Sequence, residues 1–416
     1  AQGGIKLGTH TFTVNKQPLD LTLVAHGDGL AWQITGTDYL APAHDARLES
    51  LRPFWPQALV SETPQLARAE YLAAEWLEST DWDELLVQLQ DGESTAPLES
   101  LRRFAASRYQ EGYQRGIHDD DALAIVRVLA PMQAAAGLLL YGPAERALAQ
   151  LYWHQGLRDE TRQSLARRAR SAQHIAQLFT QTAARDTLEH EAALGLRQFV
   201  AQHPALGEEW LPELAQALDA DAQDGSLVST LAEEAAAYLV RELAQAEDAP
   251  HWAISGTGED LLHALQRALD HGGLASAWQR DLQAAEPLER WRLARGWLRA
   301  FAASQNSDAL AWIDDAATAL TFQGARRRVN VQLNANIDGL RGEHPRIREG
   351  TLPFHLNDFR RRVRHHRSHA VQGFTQLQAL RHELLVQEKS RLHLAQFQAK
   401  PLATFVRNRL IDEVYL

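Results

Sequence analysis

Eight arginines in the last quarter of the chain are the residues whose type and spacing most clearly suggest chemistry. An arginine keeps its charge at any relevant pH and can bind a phosphate or a carboxylate through two parallel hydrogen bonds. They form two clusters: Arg326, Arg327 and Arg328, then Arg360, Arg361, Arg362, Arg364 and Arg367. Two interpretations are open. The clusters pair with carboxylates of the same chain, which we favour, or they neutralise nucleic-acid phosphates.

The arginine clusters belong to a basic segment on an otherwise acidic chain. Residues 326–416 contain 17 Lys and Arg against 8 Asp and Glu, whereas residues 1–325 contain 25 against 45. Such a reversal marks a place where an anionic partner, or the acidic part of the chain itself, is engaged. Stacking on nucleic-acid bases would require aromatic residues interleaved with the arginines. The nearby Phe354, Phe359 and Phe374 are instead spaced like residues of a packed core.

A second candidate site is the run His118, Asp119, Asp120 and Asp121. Carboxylate oxygens suit Mg²⁺ or Mn²⁺, so these residues are candidate metal ligands, and a metal-dependent enzyme is one reading of them. Alternatively, the aspartates cap a helix that starts near Asp121 and stabilise its positive end. We favour the helix start, because adjacent helical residues point in different directions and the spacing of an EF-hand is absent.

No other motif predicts catalysis. The run Gly256 to Glu259 superficially resembles a phosphate loop, but it lacks the Lys-Ser/Thr ending and we predict no strand before it. We therefore predict a turn that leads into a helix. The chain has no cysteine, which excludes disulfides and thiolate metal sites. These observations predict a chain that is not itself an enzyme, holds no cofactor and resides in the cytoplasm.

The elements that must position these residues change in character along the chain. We predict a mainly α fold in three segments: an antiparallel β-meander over residues 1–45, an acidic, irregular multi-helix body over 46–325, and a basic helical arm over 326–416. Alternating apolar residues predict three strands near 11–14, 19–23 and 30–34. A meander of three strands needs a helix to cover its apolar face.

The basic arm is predicted to contain a long helix that ends near residue 398. Its apolar residues Phe374, Leu377, Leu380 and Leu384 recur at spacings of three and four. This spacing suits an antiparallel helical hairpin or a short coiled coil. The eleven tryptophans of the chain favour a packed fold over a disordered one.

One stretch, from Ala122 to Gly142, is apolar enough to suggest a membrane span. Arg127 and Pro131 interrupt it, so we predict two short buried helices and no membrane partner.

The C-terminal run from Lys400 to Leu416, KPLATFVRNRLIDEVYL, resembles the segment just before the AAA-type nucleotide-binding module of large bacterial proteins catalogued as DNA-repair ATPases. Residues 2–8 with 36–39, and residues 111–119, are similar to stretches of the same proteins. The resemblance implies that ATP and Mg²⁺ bind to a module that follows residue 416. The chain also lacks an initiator Met and stops in an apolar run, so we expect it to be a piece of a longer protein.

The resemblance and the charge pattern together predict a non-catalytic scaffold or coupling region of such an ATPase. Its expected partner is its own C-terminal module, with DNA or other protein subunits as further candidates. An apolar tail would pack against that module: Phe405, Val406, Leu410, Ile411, Val414, Tyr415 and Leu416. The alternative function is a nucleic-acid-binding module that acts through the arginine clusters.

Overall fold

A computed structural model describes most of the chain. The described residues are 3–7, 10–14, 20–35, 37–57, 59–90, 95–108, 112–179, 181–218, 225–246, 249–305, 308–322 and 324–394, with side chains described from Asp20 onward except that of Asp83. Contacts between residues divide the chain into two compact units. The first, here the sheet unit, comprises Ala1–Ala58 and Gln372–Leu416, and the second, the helical unit, comprises Leu59–Val371.

The described elements are mainly helices. The strands are β1 (Gly3–Leu7), β2 (His10–Val14), β3 (Leu21–His26), β4 (Gly29–Ile34), β5 (Leu40–Pro42), β6 (Trp252–Ser255), β7 (Arg326–Val329), β8 (Asn334–Ile337) and β9 (Leu352–His355). The helices are α1 (Ala46–Ser50), α2 (Arg68–Glu78), α3 (Trp82–Gln90), α4 (Ala96–Ala106), α5 (His118–Ala136), α6 (Pro143–Leu151), α7 (Asp159–Phe179), α8 (Ala183–Gln202), α9 (Pro204–Leu218), α10 (Gly225–Gln245), α11 (Gly256–His271), α12 (Ala275–Ala284), α13 (Pro287–Ser304), α14 (Ile313–Thr321), α15 (Leu356–His365) and α16 (Val371–Arg391). Short 3₁₀ or π turns lie at Arg52–Phe54, Gly137–Leu140, Tyr152–Gly156, Asp308–Trp312 and His366–Ala370.

The sheet unit contains the antiparallel sheet β3-β4-β5, covered by α16. In β3 and β4, Leu21 lies opposite Ile34, and the connecting turn uses Gly27 at φ +58°. The buried core is formed by Leu21, Leu23, Trp32, Ile34, Leu48, Phe54, Leu377, Leu380 and Leu394. Gly373 lets the ring of Phe54 lie directly against α16, where a Cβ would clash. The sheet therefore has the covering helix that three strands need.

Two details of the sheet unit differ from the sequence prediction. The first predicted strand is β2, and it pairs with β1 in a separate hairpin rather than with β3. The leucine seam of α16 packs on the sheet, where we predicted a helical hairpin or short coiled coil. Residues 395–416, which would have to supply a second helix, lie outside the described part of the chain.

The helical unit has one large core, within which α10 packs against α6, α7 and α8, and a small separate cluster of Ala215, Leu218 and Leu227. The run Ala235–Ala237 of α10 is fully buried, and small side chains there allow its neighbours to approach closely. The mainly α fold with a small N-terminal antiparallel sheet is thus confirmed. One predicted helix, residues 159–200, is divided into α7 and α8.

Four short strands of the helical unit were not predicted. β6 pairs in parallel with β7, and β8 pairs antiparallel with β9. Every residue of β6 is buried, so a hydrophobic strand does precede Gly256, contrary to the sequence analysis. β6 has four residues without alternation of apolar and polar side chains, so it has no periodicity to detect. Its partner β7 begins with three arginines, which do not resemble a strand either.

The basic segment as far as Val371 belongs to the helical unit. Leu352, Leu356 and Phe359 lie in the same buried core as Leu72 and Leu231. The division of the chain therefore differs from the three predicted segments 1–45, 46–325 and 326–416.

One helical stretch among the described residues, His118–Gly156, is long and apolar enough by composition to cross a membrane. More than half of its most apolar window, 56%, is buried inside the protein. It is also broken at Gly137, where φ is +52°, so that α5 and α6 are separate helices. The prediction of two short helices within Ala122–Gly142 is wrong, because α5 continues through Pro131 to Ala136 and α6 begins only at Pro143.

His366 gives the helical unit a specific sensitivity to acid. Its Nε2–H donates to the carbonyl oxygen of Val60 at 2.9 Å, whereas its buried Nδ1 has no hydrogen-bond partner among the described residues. Burial lowers the pKa of His366 to about 4 from its ordinary value of 6.5. Below pH 6.5 this histidine binds a proton in the unfolded chain but not in the folded chain. The free energy of unfolding therefore falls as the pH drops from 6.5 towards 4, and this residue does not change it above pH 6.5.

We expect His366→Gln, which keeps a donor for Val60, to flatten this decline. At pH 5 the contribution from His366 should be on the order of 2 kcal/mol of lost unfolding free energy. Urea denaturation of both proteins at pH 7 and pH 5 measures the difference. Equal pH dependence in wild type and variant would contradict the assignment.

Candidate functional site

Three buried glutamates of the helical unit determine where the second arginine cluster lies. Glu70 of α2, Glu145 of α6 and Glu234 of α10 are 0%, 1% and 3% exposed. A carboxylate removed from water needs charged or hydrogen-bonding partners, because an isolated buried charge costs a great deal of free energy. α15 supplies a guanidinium group to each of the three.

The arginines of α15 reach different helices because successive helical residues point in different directions. Arg361 holds Glu145 through two hydrogen bonds of 2.5 and 2.7 Å. Arg362 donates to Glu70 at 2.9 Å, and Arg346, from the loop before β9, donates to the same carboxylate.

Arg360 and Arg364 are four residues apart and therefore share one face of α15. Both donate to Glu234, Arg360 at a distance of 3.2 Å. Arg360 also lies 4.9 Å from the centroid of the Tyr141 ring. Arg367, in the turn that follows α15, donates to the exposed Glu78.

The electrostatics keep Glu234 and Glu70 ionised. Burial raises the pKa of Glu234, but Arg360 and Arg364 outweigh burial and bring the pKa to about 2. Burial opposes ionisation of Glu70 in the same way, and Arg362 and Arg346 together lower its pKa below the ordinary value. The pairs made by Glu234 and Glu70 are therefore ionic at neutral pH.

The first arginine cluster forms β7, and its side chains alternate between two environments. Arg326 donates to Gln150 Oε1 at 3.0 Å and to the carbonyl oxygens of Thr318 and Phe322 at 3.1 and 3.0 Å. Arg328 donates to Glu259 and Asp260 at the start of α11, at 2.8 and 2.9 Å. The side chain of Arg327 is 40% exposed and lies 3.6 Å from Glu242.

Each of the eight predicted arginines thus has a carboxylate or carbonyl partner within its own unit. This arrangement is the one expected of a basic segment that pairs with the acidic body. Three of the eight, Arg360, Arg364 and Arg367, also line a cavity.

That cavity has a volume of about 650 Å³ and contains two arginines that sequence analysis missed, Arg185 of α8 and Arg241 of α10. Both lie near the same oxygen of Glu189, at 3.6 and 3.9 Å. Trp82 contributes an aromatic wall. Arg185 and Arg241 stand apart in the sequence, so no spacing signal could have identified them.

The aspartates at the start of α5 connect it to α4 and to the loop between β8 and β9. Asp119 accepts a hydrogen bond from Arg102 at 2.6 Å, and Asp121 accepts from the backbone N–H groups of Arg341 and Gly342 at 2.9 and 2.7 Å. Asp120 lies 2.9 Å from the guanidinium of Arg102.

His118 completes the start of α5. It accepts from the backbone N–H of Gln114 at 2.8 Å, and burial lowers its pKa. The helix begins at His118 rather than near Asp121, and its N-cap, Ile117, has no side-chain hydrogen bond. The three aspartates lie in the first turn, where negative charge is stabilising. Within the described residues, no group of three or more His, Asp or Glu is arranged to hold a metal ion.

The seven apolar residues predicted to face an ATPase module, from Phe405 to Leu416, lie outside the described residues. No protein-family model, curated protein or solved structure matches the chain.

Glu70 offers a direct test of the buried pairing. We expect Glu70→Gln to lower the free energy of unfolding by about 3–5 kcal/mol, because it leaves the buried guanidinium of Arg362 and that of Arg346 without a counter-charge. The matched control is Glu78→Gln, which removes the exposed partner of Arg367 and should cost less than about 1 kcal/mol. Urea unfolding followed by circular dichroism measures both values, and similar losses in the two variants would refute the role of Glu70.

Proposed function

We propose that this chain is a non-catalytic scaffold and coupling region of a large bacterial AAA-type ATPase that acts in the cytoplasm. The proposal rests on the resemblance of Lys400 to Leu416 to the segment before such a module. The observation that carries it is the ion pairing of α15 with Glu70, Glu145 and Glu234. A basic segment fixed in this way has the rigidity that a mechanical connection requires.

In this proposal ATP and Mg²⁺ bind to the AAA-type module, and this chain supplies no catalytic residue. The helical unit provides the scaffold, and the apolar tail after residue 404 contacts the module. A link to DNA repair follows from the catalogued name of the resembling proteins and is part of the proposal.

The tail is the part of the chain to test. We expect this chain to bind the separately expressed AAA-type module of the same protein, and Leu410→Asp to weaken that binding at least about tenfold, because a carboxylate would be placed in an apolar contact. Asn408→Asp is the matched control, since it introduces the same charge two residues away at a polar position. Isothermal titration calorimetry measures both affinities.

Equal binding by the two variants would remove the tail from the interface. Hydrolysis of ATP by this chain alone would overturn the proposal as a whole. The hydrolysis assay should use the purified chain with Mg²⁺ and ATP, because a contaminating ATPase in a crude sample would also hydrolyse ATP.

The alternative function, binding of nucleic acid through the arginine clusters, predicts an affinity for DNA that depends steeply on salt concentration. A protein that neutralises 6–10 phosphates loses about 10³–10⁵-fold in affinity between about 50 and about 200 mM salt. Because the arginines are paired internally, we expect fluorescence anisotropy with a DNA duplex to show no such dependence. Arg328→Gln, at an exposed side chain of the first cluster, should change nothing. A steep salt dependence that this substitution reduces would favour the alternative.

A further inference from the structure

We propose that the cavity between α8, α10 and α15 binds a small organic phosphate, with Arg185 and Arg241 holding the phosphate group and Trp82 lying against the apolar body. This inference goes beyond the scaffold function and does not rest on it.

The first argument is the hydrogen bonding of the two arginines. Neither guanidinium group donates to any residue in the described part of the chain, and the Nε atoms of Arg185 and Arg241 are both buried without a partner. Their nearest carboxylate oxygen, Glu189 Oε1, also has no hydrogen-bond partner, and its distances of 3.6 and 3.9 Å exceed a hydrogen bond. Buried donors are normally satisfied, so donors that remain open beside a cavity indicate a missing acceptor.

The second argument is the local charge. Five arginines and three glutamates line the cavity. Two of the three glutamates are already engaged, since Glu234 accepts from Arg360 and Arg364, and Glu78 accepts from Arg367. The lining thus has two more arginines than glutamates. Arg185 and Arg241 lie together because both approach one oxygen of Glu189, which together with Asp186 beside Arg185 offsets part of their charge.

The third argument concerns which anion fits. Two guanidinium groups present many N–H donors in fixed planes, and the three terminal oxygens of a phosphate monoester accept more of them than the two oxygens of a carboxylate. Part of the remaining wall is apolar and includes Trp82, Leu77, Leu129, Phe359 and Val363, while Gln133 and Ser368 are polar. A volume of about 650 Å³ is that of a small-molecule site rather than an ion site. The ligand class is therefore a phosphate ester with an apolar or aromatic body.

The test uses three probes in isothermal titration calorimetry with the whole chain: phenyl phosphate, inorganic phosphate and phenol. We expect saturable binding of phenyl phosphate, at least about tenfold tighter than binding of either part, because the head and the body contact different walls. Arg241→Gln should weaken phenyl phosphate at least about tenfold, and Arg241→Lys should weaken it less, since it keeps the charge but not the paired donors.

Arg267→Gln, an exposed arginine of α11 that does not line the cavity, is the matched control and should bind like wild type. Circular dichroism establishes that each variant is folded. If Arg241→Gln does not fold, Trp82→Ala replaces it and should abolish the advantage of phenyl phosphate over inorganic phosphate. Absence of saturable phenyl phosphate binding, or binding that neither substitution alters, would overturn the proposal without affecting the scaffold function.

Discussion

The helical unit depends on the requirement that a buried carboxylate be neutralised where it lies. Glu70, Glu145 and Glu234 are on the inner faces of three different helices, and each would be prohibitively costly to bury alone. α15 brings one or two guanidinium groups to each of them, so its position is determined at three points at once. Removing one partner from such a pair lowers the stability of the protein by much more than the intact pair adds to it. The pairing therefore specifies the position of α15 more than it adds to stability.

Another buried carboxylate of the helical unit, that of Asp315, is also neutralised where it lies. Arg146 of α6 is fully buried and holds Asp315 of α14 at 2.6 and 2.7 Å. Asp315 also accepts the backbone N–H of Ser255 at 2.9 Å, and Ser255 in turn caps α11. One ion pair thus fixes α6, α14, the end of β6 and the start of α11. The adjacent Asp314 accepts from Arg295 of α13 at 2.7 Å, which extends the network outward.

How far the sequence predicted this arrangement depends on the range of each interaction. Helices such as α10 were predictable, because apolar periodicity is a local property. β6 and β7 were not, since a parallel pair about seventy residues apart leaves no local signal. The arginines were identified by their density, whereas Glu70, Glu145 and Glu234 resemble any polar residue of a helix until the fold places them inside. The clusters were therefore visible in the sequence and their partners were not.

The contrast between paired and open arginines explains why charge along the sequence is a poor guide to binding. The segment after residue 325 carries the excess of basic residues, yet its clusters are occupied by partners of the same unit. Arg185 and Arg241 belong to the acidic part of the chain, and their buried Nε atoms have no hydrogen-bond partner among the described residues. The attraction between an arginine and a bound anion depends mainly on the few charged groups within about 4 Å, because solvent and counter-ions screen the charge of distant segments. What each guanidinium group does in this protein thus depends on its nearest carboxylates. Carboxylates within hydrogen-bond distance fix α15 in place, whereas those nearest Arg185 and Arg241 lie at 3.6–3.9 Å, beyond that distance.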